Sequence, residues 1–201
     1  ITNLSGDNGS RNLSNSLFCS WSDNLYSSYK PALSPLVCIT IAVSCPVGNI
    51  ESNSFLYATQ PDEMAALEKV FKSEIQETIV QKINTEETKQ RGSRLDVLKH
   101  GIDISNHHLD LMYTKPATTF NKELNRLYSE NIFTVSEEVW ASDNERVDVV
   151  IFLNGLAIMT FELKCNAAGQ SYHDAIYQFR MQRDPKTRLF MWKAGALVNF
   201  A

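Results

Sequence analysis

The stretch Arg146 to Lys164, RVDVVIFLNGLAIMTFELK, constrains the fold more than any other part of the chain. Two apolar runs rich in Val, Ile and Phe meet at Asn154-Gly155, a pair suited to the left-handed backbone of a tight β-hairpin. Side chains alternate faces along a strand, so Glu162 and Lys164 point the same way, as do Ile158 and Thr160. Ala157, Met159, Phe161 and Leu163 are expected to fill the other, buried face. Charges seldom stand on a central strand without partners, so Asp148, Glu162 and Lys164 need a physical reason for being there.

One reason is a metal-dependent phosphodiesterase site. Asp148, Glu162 and the backbone carbonyl of Leu163 are hard oxygen donors suited to Mg²⁺, and Lys164 can stabilise or orient an attacking hydroxide. Geometry sets a condition. With a strict two-residue loop at Asn154-Gly155 and regular pairing, Asp148 sits opposite Phe161 and faces away from Glu162. A three-residue loop or a β-bulge must therefore shift the register by one. The plainer alternative is a surface hairpin whose Asp, Glu and Lys form an ordinary solvated face.

Several blocks around this hairpin resemble one family. VDVVIFLNGLAIMTFELK, GQSYHDAIYQFRMQRDP and ALVNFA, with SFLYATQP, LDVLKHGI and LDLMYTKPATTFNKELNRLYSENIFTV upstream, are similar to the nuclease region of the restriction (R) subunit of type I restriction enzymes. The resemblance covers roughly residues 54–201. It implies an α/β fold of the restriction-endonuclease-like type, a mixed central sheet flanked by helices, in the PD-(D/E)-x-K superfamily. It also implies Asp148, Glu162 and Lys164 as the catalytic core, with Asp148, Glu162 and Leu163 holding Mg²⁺. Gln178 matches the glutamine on the helix after the last catalytic strand. The family often has a tyrosine after that glutamine, where Phe179 here keeps the ring and loses the hydroxyl. Implied partners are double-stranded DNA and the modification and specificity subunits, in the cytoplasm. A non-catalytic assembly module is the alternative.

The 201 residues suffice for one domain with an adequate core. A net charge of −4 and a pI near 5.6 do not mark a nucleic-acid binder, though a metal site in a larger assembly does not need a basic surface. The four cysteines, Cys19, Cys38, Cys45 and Cys165, lack metal-ligand spacing and read as free thiols. Residues 36–43 are too short an apolar run to span a bilayer, so no membrane association is expected. No GxxxxGK[ST] loop occurs, so ATP is not expected to bind this chain. The resembled subunits carry ATP-driven motor domains after the nuclease region, and the chain reads as stopping before them.

Residues 1–53 differ in character, being rich in Ser and Asn and poor in charge, with one candidate strand in PLVCITIAV. They do not match the family, which places an acid-bearing helix and a strand there. The segment reads as a diverged equivalent, a disordered leader or the product of a disrupted reading frame, the last being favoured. Pro61 to Asn84 has helical periodicity, and Glu68, Glu74 and Glu77 on it are candidates for the missing acid or simply a solvated face. Thr85 to Arg94 reads as a polar connection. Leu95 to Gly101 and Leu109 to Tyr113 read as strands around a turn at Ser105-Asn106, with His107 and His108 as exposed loop histidines. Asn121 to Glu130 reads as a helix and Ile132 to Trp140 as a strand. A further helix is expected to run from a cap at Ser171 or Asp174 to about Arg183. Its buried stripe would be Tyr172, Ile176 and Phe179, with Gln178 and Gln182 sharing a face with Asp174. Arg180 and Arg183 are candidates for phosphate contacts with DNA or for surface ion pairs. Ala196 to Ala201 reads as a last strand.

Overall fold

The structure, a computed structural model, describes the backbone of residues 38–43 and 50–201 and the side chains of residues 54–201. Its centre is a mixed sheet of five strands in the order β1-β4-β5-β6-β7. These are β1 (Cys38–Val43), β4 (Ile132–Ser142), β5 (Glu145–Leu153), β6 (Leu156–Phe161) and β7 (Val198–Phe200). The middle pairs β4–β5 and β5–β6 are antiparallel, and the flanking pairs β1–β4 and β6–β7 are parallel. The strand expected within PLVCITIAV is thus present, and it pairs with β4. The rest of residues 1–49, with Cys19 and Cys45, lies outside the described residues.

Four helices and a small hairpin form a core beside the sheet. They are α1 (Ile50–Thr59), α2 (Pro61–Phe71), α3 (Ile75–Thr88), α4 (Arg94–His100), β2 (Ile102–Ile104) and β3 (His107–Leu109). Phe55, Leu56, Met64, Leu67, Ile79 and Val97 are buried together there. The single helix expected over Pro61 to Asn84 is broken. Lys72 takes a left-handed φ of 51°, and a 3₁₀ turn at Lys72–Glu74 separates α2 from α3. Each half buries its own stripe in the shared core. The second half also runs to Thr88, into what reads as a polar connection.

Leu95 to Gly101 is a helix and not a strand. Ser93 caps it, its hydroxyl oxygen accepting the Asp96 N–H at 3.1 Å, and Gly101 ends it with φ 65°. Val97 faces the helical core while Leu98 packs with Leu153 and Ile158 on the sheet, so α4 joins the two. The turn at Ser105-Asn106 is where the sequence puts it, but β3 ends at Leu109. His107 and His108 stand on β3 and have acidic partners: Glu63 for His107, Asp103 and Asp110 for His108.

The end of the central hairpin is locked by two asparagines. Asn154 has φ 48° and Gly155 φ 80°, the paired positive values of a type I′ turn. The Asn154 side chain is buried, accepts from the Ile132 N–H at 2.7 Å and donates to the Leu111 carbonyl at 2.8 Å and to Asn131 Oδ1 at 3.0 Å. Asn131 follows α5 (Lys122–Ser129) and donates to the Tyr128 carbonyl at 2.9 Å, so it closes that helix from its side chain.

The two faces of the sheet have different covers. Leu98 and Met112 pack on the face of Phe133, Ile151 and Leu153. Leu189, Phe190 and Ala196, from the segment after the last helix, cover the face of Val150, Phe152 and Ala157. No helix among the described residues is long and apolar enough to cross a membrane.

Candidate metal centre on the hairpin

The turn at Asn154-Gly155 is a two-residue turn, with Leu153 paired to Leu156 and Phe152 to Ala157. Beyond that the pairing slips: Ile151 faces Met159, Val150 faces Thr160 and Val149 faces Phe161. Ile158 is the extra residue of a β-bulge, and its carbonyl is satisfied by the Leu197 N–H at 2.9 Å. One step further along this register, Asp148 stands across from Glu162, where regular pairing would have set it against Phe161. The required irregularity is therefore present, as a bulge.

The bulge also changes which residues share a face. Ala157 packs with Val150 and Phe152, whereas Met159 lies on the opposite face. Leu163, expected in the buried row, is 44% exposed because the chain leaves the regular strand at Phe161. Leu163 still fixes the first acid, since its N–H donates to Asp148 Oδ2 at 2.6 Å. Burial raises the pKa of the Asp148 carboxyl, that hydrogen bond opposes the rise, and the neighbouring Glu162 charge adds to it.

Glu162 is buried with two cations. Lys164 Nζ lies 3.0 Å from Oε1 and Arg183 Nη2 lies 2.6 Å from Oε2. Lys164 also donates to Gln178 Oε1 at 2.6 Å. Gln178 sits at the end of α6 (Tyr172–Tyr177), which opens with a capping box between Ser171 and Asp174. The chain then widens into a π-helical turn, Gln178–Gln182, closed by the Arg183 N–H on the Gln178 carbonyl at 3.1 Å. An i→i+5 bond places Arg183 over Gln178 and removes the alignment of Gln182 with Gln178 expected from an α-helix. Both reach the same strand end, one through Lys164 and the other through Glu162. The buried stripe differs from expectation as well: Tyr172 is exposed, and Ala175 is the fully buried residue.

Arg183 is thus not a solvated phosphate contact. Its side chain is 6% exposed, its Nη2 also donates to the Arg146 carbonyl at 2.7 Å, and its guanidinium lies 5.5 Å from the centre of the Phe190 ring. Arg180 is exposed, beside a groove of about 330 Å³ that Phe179, Arg183 and Asn199 also line. Of the two readings of the helical acids, the solvated face holds: Glu68 is exposed and accepts from the Tyr57 hydroxyl, and Glu74 and Glu77 are exposed on the helical layer. Sequence reasoning missed two features. The ion pair of Arg183 with Glu162 is one: Arg183 reads as a phosphate contact or surface ion pair, and it lies five residues after Gln178, outside the three- and four-residue periods of an α-helix. Glu138 takes φ 57° between the pairs Glu137–Val149 and Val139–Val147, beside Asp148, and pairs with Arg146; no residue pattern announces that backbone.

Among the described residues, no group of three or more His, Cys, Asp or Glu side chains is arranged to hold a metal ion. The smaller donor set still fits Mg²⁺. The bulged register sets the carboxylates of Asp148 and Glu162 across from each other, and Mg²⁺ commonly takes one or two carboxylates together with waters and substrate phosphate oxygens.

No curated protein and no solved structure matches the chain. A family model does, that of the type I restriction enzyme R protein N terminus, over residues 52–200. That span takes in the helical layer, the hairpin with its bulge, the π-helical turn and β7, and the chain belongs to this family of type I restriction enzyme R protein N-terminal regions.

Proposed function

We propose that the chain is a Mg²⁺-dependent DNA endonuclease module that hydrolyses phosphodiester bonds of double-stranded DNA, of the PD-(D/E)-x-K kind. The observation that carries this reading is the Ile158 bulge, which sets Asp148 across from Glu162. Asp148, Glu162 and the Leu163 carbonyl would hold the ion, which supplies Lewis acidity at the phosphate and a more acidic bound water.

The remaining chemistry belongs to the side chains. A lysine ammonium has three donors, and two of those on Lys164 are engaged by Glu162 and Gln178. The third is left to orient the attacking water and to stabilise negative charge developing at the phosphate. Gln178 fixes where that ammonium sits, so it is a positioning residue. Modification and specificity subunits would bring the DNA, and ATP would act on motor domains elsewhere in a longer protein.

The competing reading is a pseudo-nuclease kept for assembly with those subunits. It draws on one observation, that both Glu162 oxygens already carry cationic partners. DNA cleavage by the assembled restriction complex separates the two. Asp148→Ala, Glu162→Ala and Lys164→Ala should each reduce Mg²⁺-dependent cleavage to background, and Gln178→Ala should cost roughly 10–100-fold. Cleavage that survives the first two substitutions would refute the nuclease reading.

A further inference from the structure

Resting on the nuclease reading, we infer that Arg183 sets the metal affinity of the site: it occupies a Glu162 oxygen as an internal counter-cation and must release it before a divalent ion can be held. Three observations carry this. Arg183 Nη2 sits 2.6 Å from Oε2, while Lys164 takes Oε1, so no Glu162 oxygen is without a cation. The Arg183 side chain is 6% exposed, so its charge is not dissipated in water. Its Nε is buried without a hydrogen-bond partner, so the guanidinium is held at Glu162 by only part of its donor fork.

Charge balance gives the direction of the effect. Asp148 and Glu162 are offset by Lys164 and Arg183, so an arriving divalent cation meets a neutral cluster. Its two positive charges repel those already there, in a setting where burial weakens screening. Removing the Arg183 charge leaves the cluster net negative and frees one oxygen. The π-helical turn supports the arrangement, because its i→i+5 bond brings Arg183 and Gln178 to the same strand end.

The test is direct Mn²⁺ binding to the purified full-length protein without DNA, read from the electron paramagnetic resonance of the free ion. Arg183→Gln should tighten binding at least about tenfold, the repulsion expected of one charge a few ångström from a divalent ion even at water-like dielectric. Arg183→Lys, which keeps the charge, should stay near the wild-type affinity. A purely structural role would not separate the two variants in this direction. Binding by Arg183→Gln that is unchanged or weaker, in a protein that still folds, overturns the inference.

The wild-type protein offers a second measurement should Arg183→Gln not fold. The Arg183 guanidinium N–H signals, slow to exchange because they are buried, should become exchange-broadened at saturating Mg²⁺. Signals that stay protected at saturation overturn the inference. Asp148→Asn distinguishes this failure from failure of the nuclease reading: if it leaves Mn²⁺ binding untouched, the metal site itself is wrong. If it abolishes binding while Arg183 behaves as an ordinary structural residue, only the inference falls.

Discussion

Replacing Asn154 should destabilise the protein by an amount the structure allows to be apportioned. Three side-chain hydrogen bonds, with Ile132, Leu111 and Asn131, hold the turn to β4 and to the chain after β3. At a net contribution of roughly 1 kcal/mol each, with partners that are largely buried, their loss is about 3 kcal/mol. Asn154 also sits at φ 48°, where a residue with a Cβ and no local polar group loses about another 1 kcal/mol. Asn154→Gly tolerates that backbone and should lose about 3 kcal/mol, and Asn154→Ala about 4 kcal/mol. For a chain of this size the latter corresponds to a fall in Tm of roughly 10 °C. Urea unfolding, with an unchanged slope, measures both values. An Asn154→Ala variant within about 1 kcal/mol of wild type would refute the assignment of the hairpin's stability to this network.

The other predictions concern separate parts of the molecule. Glu87 is buried at the end of α3 against Arg94 and the half-buried Arg188, so Glu87→Ala should cost about 3–5 kcal/mol by leaving Arg94 unpaired, and Arg188→Ala clearly less, in the same unfolding assay. Asp103 and Asp110 beside His108 hold its imidazole above the usual histidine range. A raised value stabilises the fold below the unfolded pKa and loses that stabilisation as pH rises through the folded one. His108→Gln should therefore lower Tm slightly near pH 5.5 and not near pH 8.5, the pair being exposed and modest. Gly101 takes φ 65°, and a Cβ added there would lie only 2.3 Å from the Leu109 carbonyl oxygen, too close to fit. Gly101→Ala should thus lose at least about 1–2 kcal/mol from backbone strain, measurable by thermal denaturation.

The hairpin was readable from its residues because its signals are local. Asn154-Gly155 needs two left-handed positions, and the alternation on either side fixes the strands. The bulge was readable for a different reason: only a one-residue slip lets Asp148 face Glu162, so a demand of chemistry exposed a detail of backbone. Its exact place at Ile158 was not readable, because bulge position depends on how Leu197 and β7 take up the freed carbonyl. The helix at Arg94–His100 reads as a strand in the sequence because Val97 and Leu98 face two different cores, which blurs the single stripe on which periodicity depends. The cap signal Ser93-x-x-Asp96 was present and outweighed it. Arg183 reads in the sequence as a phosphate contact or a surface ion pair, and not as a partner of Glu162, because a π-helical turn carries no clear sequence signature and an arginine in a polar run looks like surface. A buried cation whose partner is 21 residues away in sequence becomes visible only with the tertiary structure.

The pairing of Asp148 with Glu162 as metal ligands is tested most directly by crystals of the protein soaked in Mn²⁺, with data collected at the manganese absorption edge. An anomalous peak between the Asp148 and Glu162 carboxylates, absent in Asp148→Asn crystals treated the same way, is the expected result. A peak bound elsewhere, or none there at saturating Mn²⁺, would contradict it.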